Sequence, residues 1–433
     1  MGRTSARSGA VLPCSAGRRA RLGRLAFCAV VGALATLVAV PAQAAPRANK
    51  DCGAANPNAH PLTQKPWPLR RLAPANVWGF SRGQGVTVAV IDSGVSPDHP
   101  KLGNGKVLPG FDFIDNGPDG TCDDHGHGTF VAGIIAGWES RNDSDSPFTG
   151  VAPDARILPI KAMKGEEHLS VEEGRKRADL VAGAVDYAVA HKAQVINMSL
   201  VLDNTPALAA AIDRALKANV VVVAAAGNTG DSPDDAGKDL YPAAYEGVLA
   251  VGGVDETDKH ASSSTPGRYV RIAAPGVNVD GPTLHGGGYV TEAKGTSYAA
   301  AYVSGIVALL RGYYKDLTAA QIVDRITKTA DRPPLGKDDQ VGFGIINPYR
   351  AMTALLDPAA EQAKPVAGGL VRPAAHDDPL YAAKTYGPWL AGSLLGVTAL
   401  LAVLGFAFPR GSRRGWRPGR AVRAPDPTAA TED

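Results

Sequence analysis

From Gly85 onward the chain alternates two kinds of hydrophobic pattern. Short runs rich in β-branched residues occupy Val86–Ile91, Arg156–Ile160, Gln194–Met198, Val220–Ala226 and Val248–Val254. Such nearly unbroken apolar runs suit strands covered on both faces of a parallel sheet. Between and after them lie stretches of helical length: Gly128–Gly137, Glu173–His191, Thr205–Ala218, Ser297–Tyr313 and Ala319–Thr329. Strand and helix alternating at this spacing predict an α/β fold, a doubly wound and mostly parallel sheet with helices on both faces. The pattern lapses on either side of residues 81–356. Residues 45–80, rich in Ala, Pro and Asn, read as an irregular N-terminal extension, and residues 357–387 as a linker.

Two further apolar runs follow a different rule. An Arg-rich start to Arg24 precedes the uncharged run Ala26–Val40, and Pro41-Ala42-Gln43-Ala44 offers a small-residue cleavage site. Residues 1–44 thus read as a secretory signal peptide; an uncleaved anchor is the other reading, and the run is short for one. Near the other end, Pro388–Phe408 carries no charge. As a helix it would span about 30 Å, the thickness of a hydrocarbon core. Arg410, Arg413, Arg414, Arg417, Arg420 and Arg423 follow it, which places the tail 409–433 in the cytoplasm. The alternative, a helix buried in a soluble domain, leaves those arginines without a reason. The expected topology is a single-pass protein of the cell membrane, body on the extracytoplasmic side, contacting lipid through one transmembrane helix.

Charge and composition narrow the classes. The 50 Gly and 33 Pro are scattered among 433 residues, which excludes a collagen-like chain, and a 20% charged fraction argues against wholesale disorder. The formal net charge of +3 belongs to the ends: residues 1–44 hold six Arg and no acid, and 409–433 are locally +3, so 45–408 stand at −6. A body that acidic lacks the cations to neutralise phosphates, so no nucleic-acid partner is expected. Export leaves two cysteines, Cys52 and Cys122. In an oxidising compartment a lone pair forms one disulfide, closing a 70-residue loop and stabilising by about 4 kcal/mol less any strain. Two free or intermolecular thiols are the alternative.

Polar residues then fall where strands end or helices begin, the places where open α/β sheets bind ligands. Asp92 closes the first strand, His127 opens an apolar helix, Asn228 follows Ala224-Ala225-Ala226-Gly227, and Ser297 opens another helix in Gly295-Thr296-Ser297. Each alone suits a turn or a helix cap. His125 and His127 beside Asp123 and Asp124 also allow a metal cluster, and a metal hydrolase built on them is one competing reading.

Jointly, however, Val90-Ile91-Asp92-Ser93-Gly94, the run His127 to Gly133 and Gly295-Thr296-Ser297-Tyr298-Ala299-Ala300 resemble the subtilisin-like serine peptidases, in the order Asp, His, Ser. Gly344-Ile345-Ile346-Asn347-Pro348 is similar to that family's closing segment. Signal, extension, cysteine pair and C-terminal span further resemble the mycosins, membrane-anchored peptidases of type VII secretion systems. The resemblance implies a serine endopeptidase acting on exported proteins, with Asp92, His127 and Ser297 catalytic and Asn228 in the oxyanion hole beside the Ser297 backbone N–H. It implies substrate contacts from Ser199, Leu200, Val201, Ala226 and Gly227, a protein substrate and a type VII secretion membrane complex as partner. No cofactor is expected; many subtilisin-like enzymes hold calcium, but no local cluster in the sequence is strong enough to assign a metal site. The alternative function is a structural subunit that braces a secretion complex, with cleavage dispensable.

Two positions depart from the family pattern. Ala301 stands where a proline is common in the helix after the serine, which implies a small local change. Val201 stands where glycine tends to follow Leu200, and its bulk implies a narrowed S1 entrance that favours small P1 residues. The interval from Ala45 to Asp92 is also too short for a separately folding prodomain plus the first strand, so the extension is expected to wrap the body, stapled by Cys52–Cys122.

Overall fold

A computed structural model of the chain describes residues 52, 53, 56, 59–139, 146–165, 170–231, 237–333, 336–356, 412, 413 and 415. The signal segment 1–44, the linker 357–387 and the span Pro388–Phe408 lie outside these residues, as does nearly all of the tail. Among the described residues no helix is long and apolar enough to cross a membrane.

The apolar runs become strands β1 (Thr87–Asp92), β3 (Arg156–Lys161), β4 (Val195–Met198), β5 (Val221–Ala225) and β6 (Leu249–Val254), joined by the shorter β2 (Phe111–Asp112) and β7 (Ile272–Pro275). They form one sheet in the order β2-β3-β1-β4-β5-β6-β7, every neighbouring pair parallel. A two-stranded antiparallel ribbon, β8 (Val279–Pro282) and β9 (Tyr289–Ala293), stands apart. The helices are α1 (Trp67–Leu72), α2 (His127–Ala136), α3 (Val171–Ala190), α4 (Pro206–Lys217), α5 (Thr296–Tyr313), α6 (Ala319–Lys328) and α7 (Pro348–Thr353).

Strand side chains alternate faces, and both faces here are covered. Val88 and Val90 of β1 join the core under α2 and α5, with Val131, Ile135, Val303 and Val307. Ala89 and Ile91 point the other way, into the layer with Val181 and Val185 of α3 and Leu208 and Ile212 of α4. Each such fully buried Val, Leu or Ile side chain stabilises by about 1.5–3 kcal/mol. The predicted helix Glu173–His191 begins two residues earlier because Ser170 and Glu173 form a capping box, which satisfies two backbone donors reciprocally. Helix α5 runs unbroken through Ala301, which is fully buried.

The side on which successive strands are added switches at β1: β2 and β3 lie to one side, β4 to β7 to the other. That switch point opens a crevice beyond the carboxyl ends of the strands, and Asp92 sits at its floor as the last residue of β1.

The extension lies along the body from Cys52, and the Cys52–Cys122 disulfide is formed. His60 and Tyr289 exchange both backbone hydrogen bonds at 2.9 Å. Trp67 Nε1 donates to the Val277 and Asn278 carbonyls at 3.0 and 2.9 Å, and Leu69 and Leu72 are buried. Arg71 reaches Asp258 at 2.9 Å and Asp331 at 3.1 Å.

Beside this seam lies His99, 1% exposed, its ring edge against Tyr289 at 5.2 Å between centroids. Its Nδ1 accepts from the Lys101 N–H at 3.1 Å, so Nε2 carries the proton and donates to the Gly288 carbonyl at 3.1 Å. The neutral ring is thus satisfied at both nitrogens, and burial pushes its pKa down from 6.5 to about 4. Between those values the unfolded chain binds a proton that the folded chain refuses, so stability is full above pH 6.5 and falls as pH drops toward 4. The loss at this site reaches about 3 kcal/mol. In His99→Gln, which keeps a donor for Gly288 without titrating, the fall in melting temperature from pH 6.5 to 4 should be smaller than in wild type. Equal slopes would remove His99 from the acid response.

Candidate active site

Two glycines bring the first two site residues together. Gly94 has φ +103°, and a Cβ there would lie 2.5 Å from the Cys122 carbonyl oxygen; a Cβ on Gly128 would lie 2.0 Å from the Gly94 carbonyl. The end of β1 and the start of α2 therefore touch backbone to backbone, an approach closed to any other residue. Consequently His127 Nδ1 lies 2.8 Å from Asp92 Oδ1. Asp92 is wholly buried while the imidazole is partly exposed. A ring nitrogen facing a carboxylate carries the proton, which leaves Nε2 as a base. Asp92 Oδ1 is held in turn by the Ser93 N–H at 2.8 Å.

Ser297 is the second residue of α5 and 7% exposed. Its hydroxyl makes a long contact, 3.4 Å, to the Ser199 carbonyl, and its own carbonyl accepts from Ser199 Oγ at 3.0 Å. Asn197 donates to Ser199 Oγ at 3.0 Å and accepts from Ser304 Oγ at 2.8 Å, so the end of β4 is laced to α5. Tyr298, next to Ser297, packs on the His127 ring at 5.8 Å and on Phe130 at 4.4 Å between centroids, locking the start of α2 to the start of α5.

Asn228 Oδ1 accepts from the Thr296 N–H at 2.8 Å and from Thr296 Oγ1 at 3.0 Å. The Thr296 N–H can face only the oxygen, so the amide cannot flip, and its NH2 group is left for the cavity. That cavity, about 470 Å³, is lined by His127, Ser199, Leu200, Val201, Asn228 and Ser297 among others. Val201 stands 47% exposed on its wall.

Of the sequence-expected residues, Asp92, His127, Asn228, Ser297 and the segment Ser199–Val201 converge here. Ala226 and Gly227 are not among the lining residues. Ala226 is fully buried, and its carbonyl accepts from the Tyr269 hydroxyl at 2.9 Å. Gly227 packs beneath Leu240 and Thr265. Sequence reasoning missed Met163 and Arg177 on the cavity wall, whose loop and helix lie far away in the chain. It also missed Ser93, Thr296 and Tyr298 as framework residues, although each adjoins a motif residue. The residues offered for a metal cluster are engaged elsewhere: Asp124 pairs with Lys161 at 3.0 Å, and Asp123 accepts from its own loop.

Chemically, a hydroxyl at a helix N-terminus, a partly exposed imidazole on a buried carboxylate, and an aimed amide suit acyl transfer. A family model, Peptidase S8 or the subtilase family, matches residues 83–344. The chain belongs to the subtilase family. It is 38% identical to mycosin-1 of Mycobacterium tuberculosis over 345 residues, 69% of this chain and 75% of that protein. It is 36% identical to mycosin-4 of the same organism, across 79% of this chain and 81% of the relative. Among solved structures, MycP1 from the ESX-1 type VII secretion system superposes with a TM-score of 0.62 at 33% identity, covering 71% of this chain and 91% of the other. An intact ESX-5 inner membrane complex contains a chain matching with a TM-score of 0.61 at 29% identity, covering 82% and 94% respectively. This subtilase is accordingly a serine endopeptidase of mycosin type.

Proposed function

We propose that this subtilase is a membrane-anchored endopeptidase that cleaves exported proteins through Asp92, His127 and Ser297. The observation that carries the reading is the 2.8 Å contact between His127 Nδ1 and Asp92 Oδ1 in a crevice whose wall also holds Ser297 and Asn228. His127 Nε2 takes the Ser297 proton as Oγ attacks the scissile carbonyl, and Asp92 stabilises the imidazolium that forms. The oxyanion accepts from Asn228 Nδ2 and from the Ser297 N–H at the start of α5. The imidazolium then returns its proton to the leaving amine, and water repeats the cycle on the acyl-enzyme. The test is cleavage of a peptide library by the full chain in detergent. A serine-directed fluorophosphonate should abolish activity and a chelator should spare it; the reverse pattern would favour a metal hydrolase.

Specificity in this proposal rests on Leu200 and Val201 as walls of S1. The Val201 side chain narrows the entrance, so small P1 residues should be preferred in library profiling. Val201→Gly should extend the preference to larger side chains. A wild-type preference for large aromatics would contradict this role.

The placement proposed is Pro388–Phe408 in the membrane with the peptidase domain on the extracytoplasmic side, in a type VII secretion complex. The resemblance to a chain of the ESX-5 inner membrane complex over 94% of its length supports that partner. It also favours a second reading, in which the fold braces the complex and cleavage is dispensable. Secretion assays separate the two. Normal secretion with Ser297→Ala and failure only on deletion would make bracing dominant, whereas failure of both would make cleavage essential.

A further inference from the structure

We infer that Asp123 is a positioning residue for His127, acting through the first turn of α2 and through the Ser93 hydroxyl; the inference rests on the catalytic reading above. Asp123 is 0% exposed. Oδ1 accepts from Ser93 Oγ at 2.9 Å, from the His125 N–H at 3.1 Å and from the Gly126 N–H at 2.7 Å. Oδ2 accepts from the Thr129 N–H at 2.9 Å and from Thr129 Oγ1 at 2.6 Å. The Thr129 hydroxyl already accepts from the Ser96 N–H at 2.9 Å, so its own proton goes to Asp123. Every one of these five partners donates. An asparagine would turn an NH2 group against N–H or O–H donors in either orientation, so the position calls for two acceptor oxygens.

The geometry ties this carboxylate to Asp92. Ser93 Oγ lies 2.9 Å from Asp123 Oδ1 and 3.2 Å from Asp92 Oδ1, and it accepts from the Gly128 N–H at 3.0 Å. One hydroxyl has one proton, and the shorter contact gives it to Asp123. The Asp92 oxygen facing His127 thereby accepts from His127 Nδ1 and the Ser93 N–H and is not claimed by a third full donor.

Charge gives Asp123 a second role. His127 is the first residue of α2, where aligned N–H groups create a positive potential that opposes an imidazolium. A carboxylate bonded to the N–H groups of that turn offsets that potential. The other charged or titratable groups around this corner are Asp92 on β1, His125 with its ring 6.4 Å from that of His127, Asp124 paired with Lys161 of β3, and Arg177 of α3 on the cavity wall.

The test uses the full chain with Asp123→Asn, and with Ser93→Ala and Ser93→Thr in parallel. Asp123→Asn should lower kcat by about 10- to 100-fold, as a slightly misplaced base does, with KM little changed. The acid limb of kcat/KM should move down by about half a pH unit, a shift that loosened packing alone would not produce. Ser93→Ala should lower kcat in the same direction and Ser93→Thr, which keeps the hydroxyl, should restore it. If Asp123→Asn fails to fold, the serine pair decides. Wild-type kcat and an unshifted acid limb in Asp123→Asn, or wild-type kcat in Ser93→Ala, would overturn the inference. Ser297→Ala run alongside keeps the outcomes distinct: if it retains cleavage, the catalytic reading itself has failed.

Discussion

Ser297→Ala is expected to abolish peptide cleavage by the full chain, with a loss of about 10⁶ in kcat. That magnitude is the one measured when the nucleophile of a subtilisin is removed, and it is carried over from that relative. The physical reason is that serine, base and carboxylate act as one unit, so no remaining member can supply the missing attack. The fold should be untouched. Among the described residues the hydroxyl's hydrogen bond is the long 3.4 Å contact to the Ser199 carbonyl, whereas the bonds that seat the loop use the Ser297 carbonyl and the Thr296 backbone. Melting temperature should therefore match wild type, since a change that breaks no strong contact stays within about 0.5 kcal/mol. His127→Ala should be about as inactive as Ser297→Ala, and the double variant no worse than either. Independent, multiplying losses would show that the two side chains do not act together.

Asn228 carries the second large effect. Losing one side-chain oxyanion donor costs about 10²–10³ in kcat, or about 3–4 kcal/mol, with KM unchanged. Asn228→Ala also orphans the Thr296 N–H and so mixes catalysis with local structure. Asn228→Asp separates them. Its carboxylate keeps an acceptor for the Thr296 N–H and Oγ1, now bonded to Asn228 Oδ1 at 2.8 and 3.0 Å, while replacing the NH2 donor with a negative charge. The account predicts an intact fold, a near-normal KM and a kcat reduced at least as much as in Asn228→Ala. Wild-type kcat in Asn228→Asp would remove this amide from the oxyanion hole.

Much of this was legible because the long elements carry their own pattern. Helices α3 and α4 begin at recognisable caps, Ser170 and Thr205, β5 and β6 are apolar throughout, and β1 is apolar from Val88 to Ile91. Other elements lacked a signal of their own. Strand β2 is two residues long, and β8 reads Val-Asp-Gly-Pro, a turn composition that pairs only because β9 lies opposite. Helix α1 has six residues and starts after Pro66; it persists because Leu69 and Leu72 are buried against the body, and helices that short gain little from propensity.

The site was readable to the same degree and for the same reason. Asp92, His127 and Ser297 sit in short local motifs whose glycines record the close approaches. Ala226 and Gly227, expected as substrate contacts, lie next to Asn228 in the chain but outside the cavity lining, because adjacency along the chain does not tell which residues line an opening. Arg177 and Met163 reach the wall from α3 and the loop after β3, and only the tertiary fold brings those segments to the same opening.

The most direct measurement is covalent: incubate the full chain with a fluorophosphonate probe, digest it, and map the modified residue by mass spectrometry. The account predicts a single adduct on Ser297, absent in Ser297→Ala and strongly slowed in His127→Ala. An adduct on another serine, or none while cleavage proceeds, would contradict it.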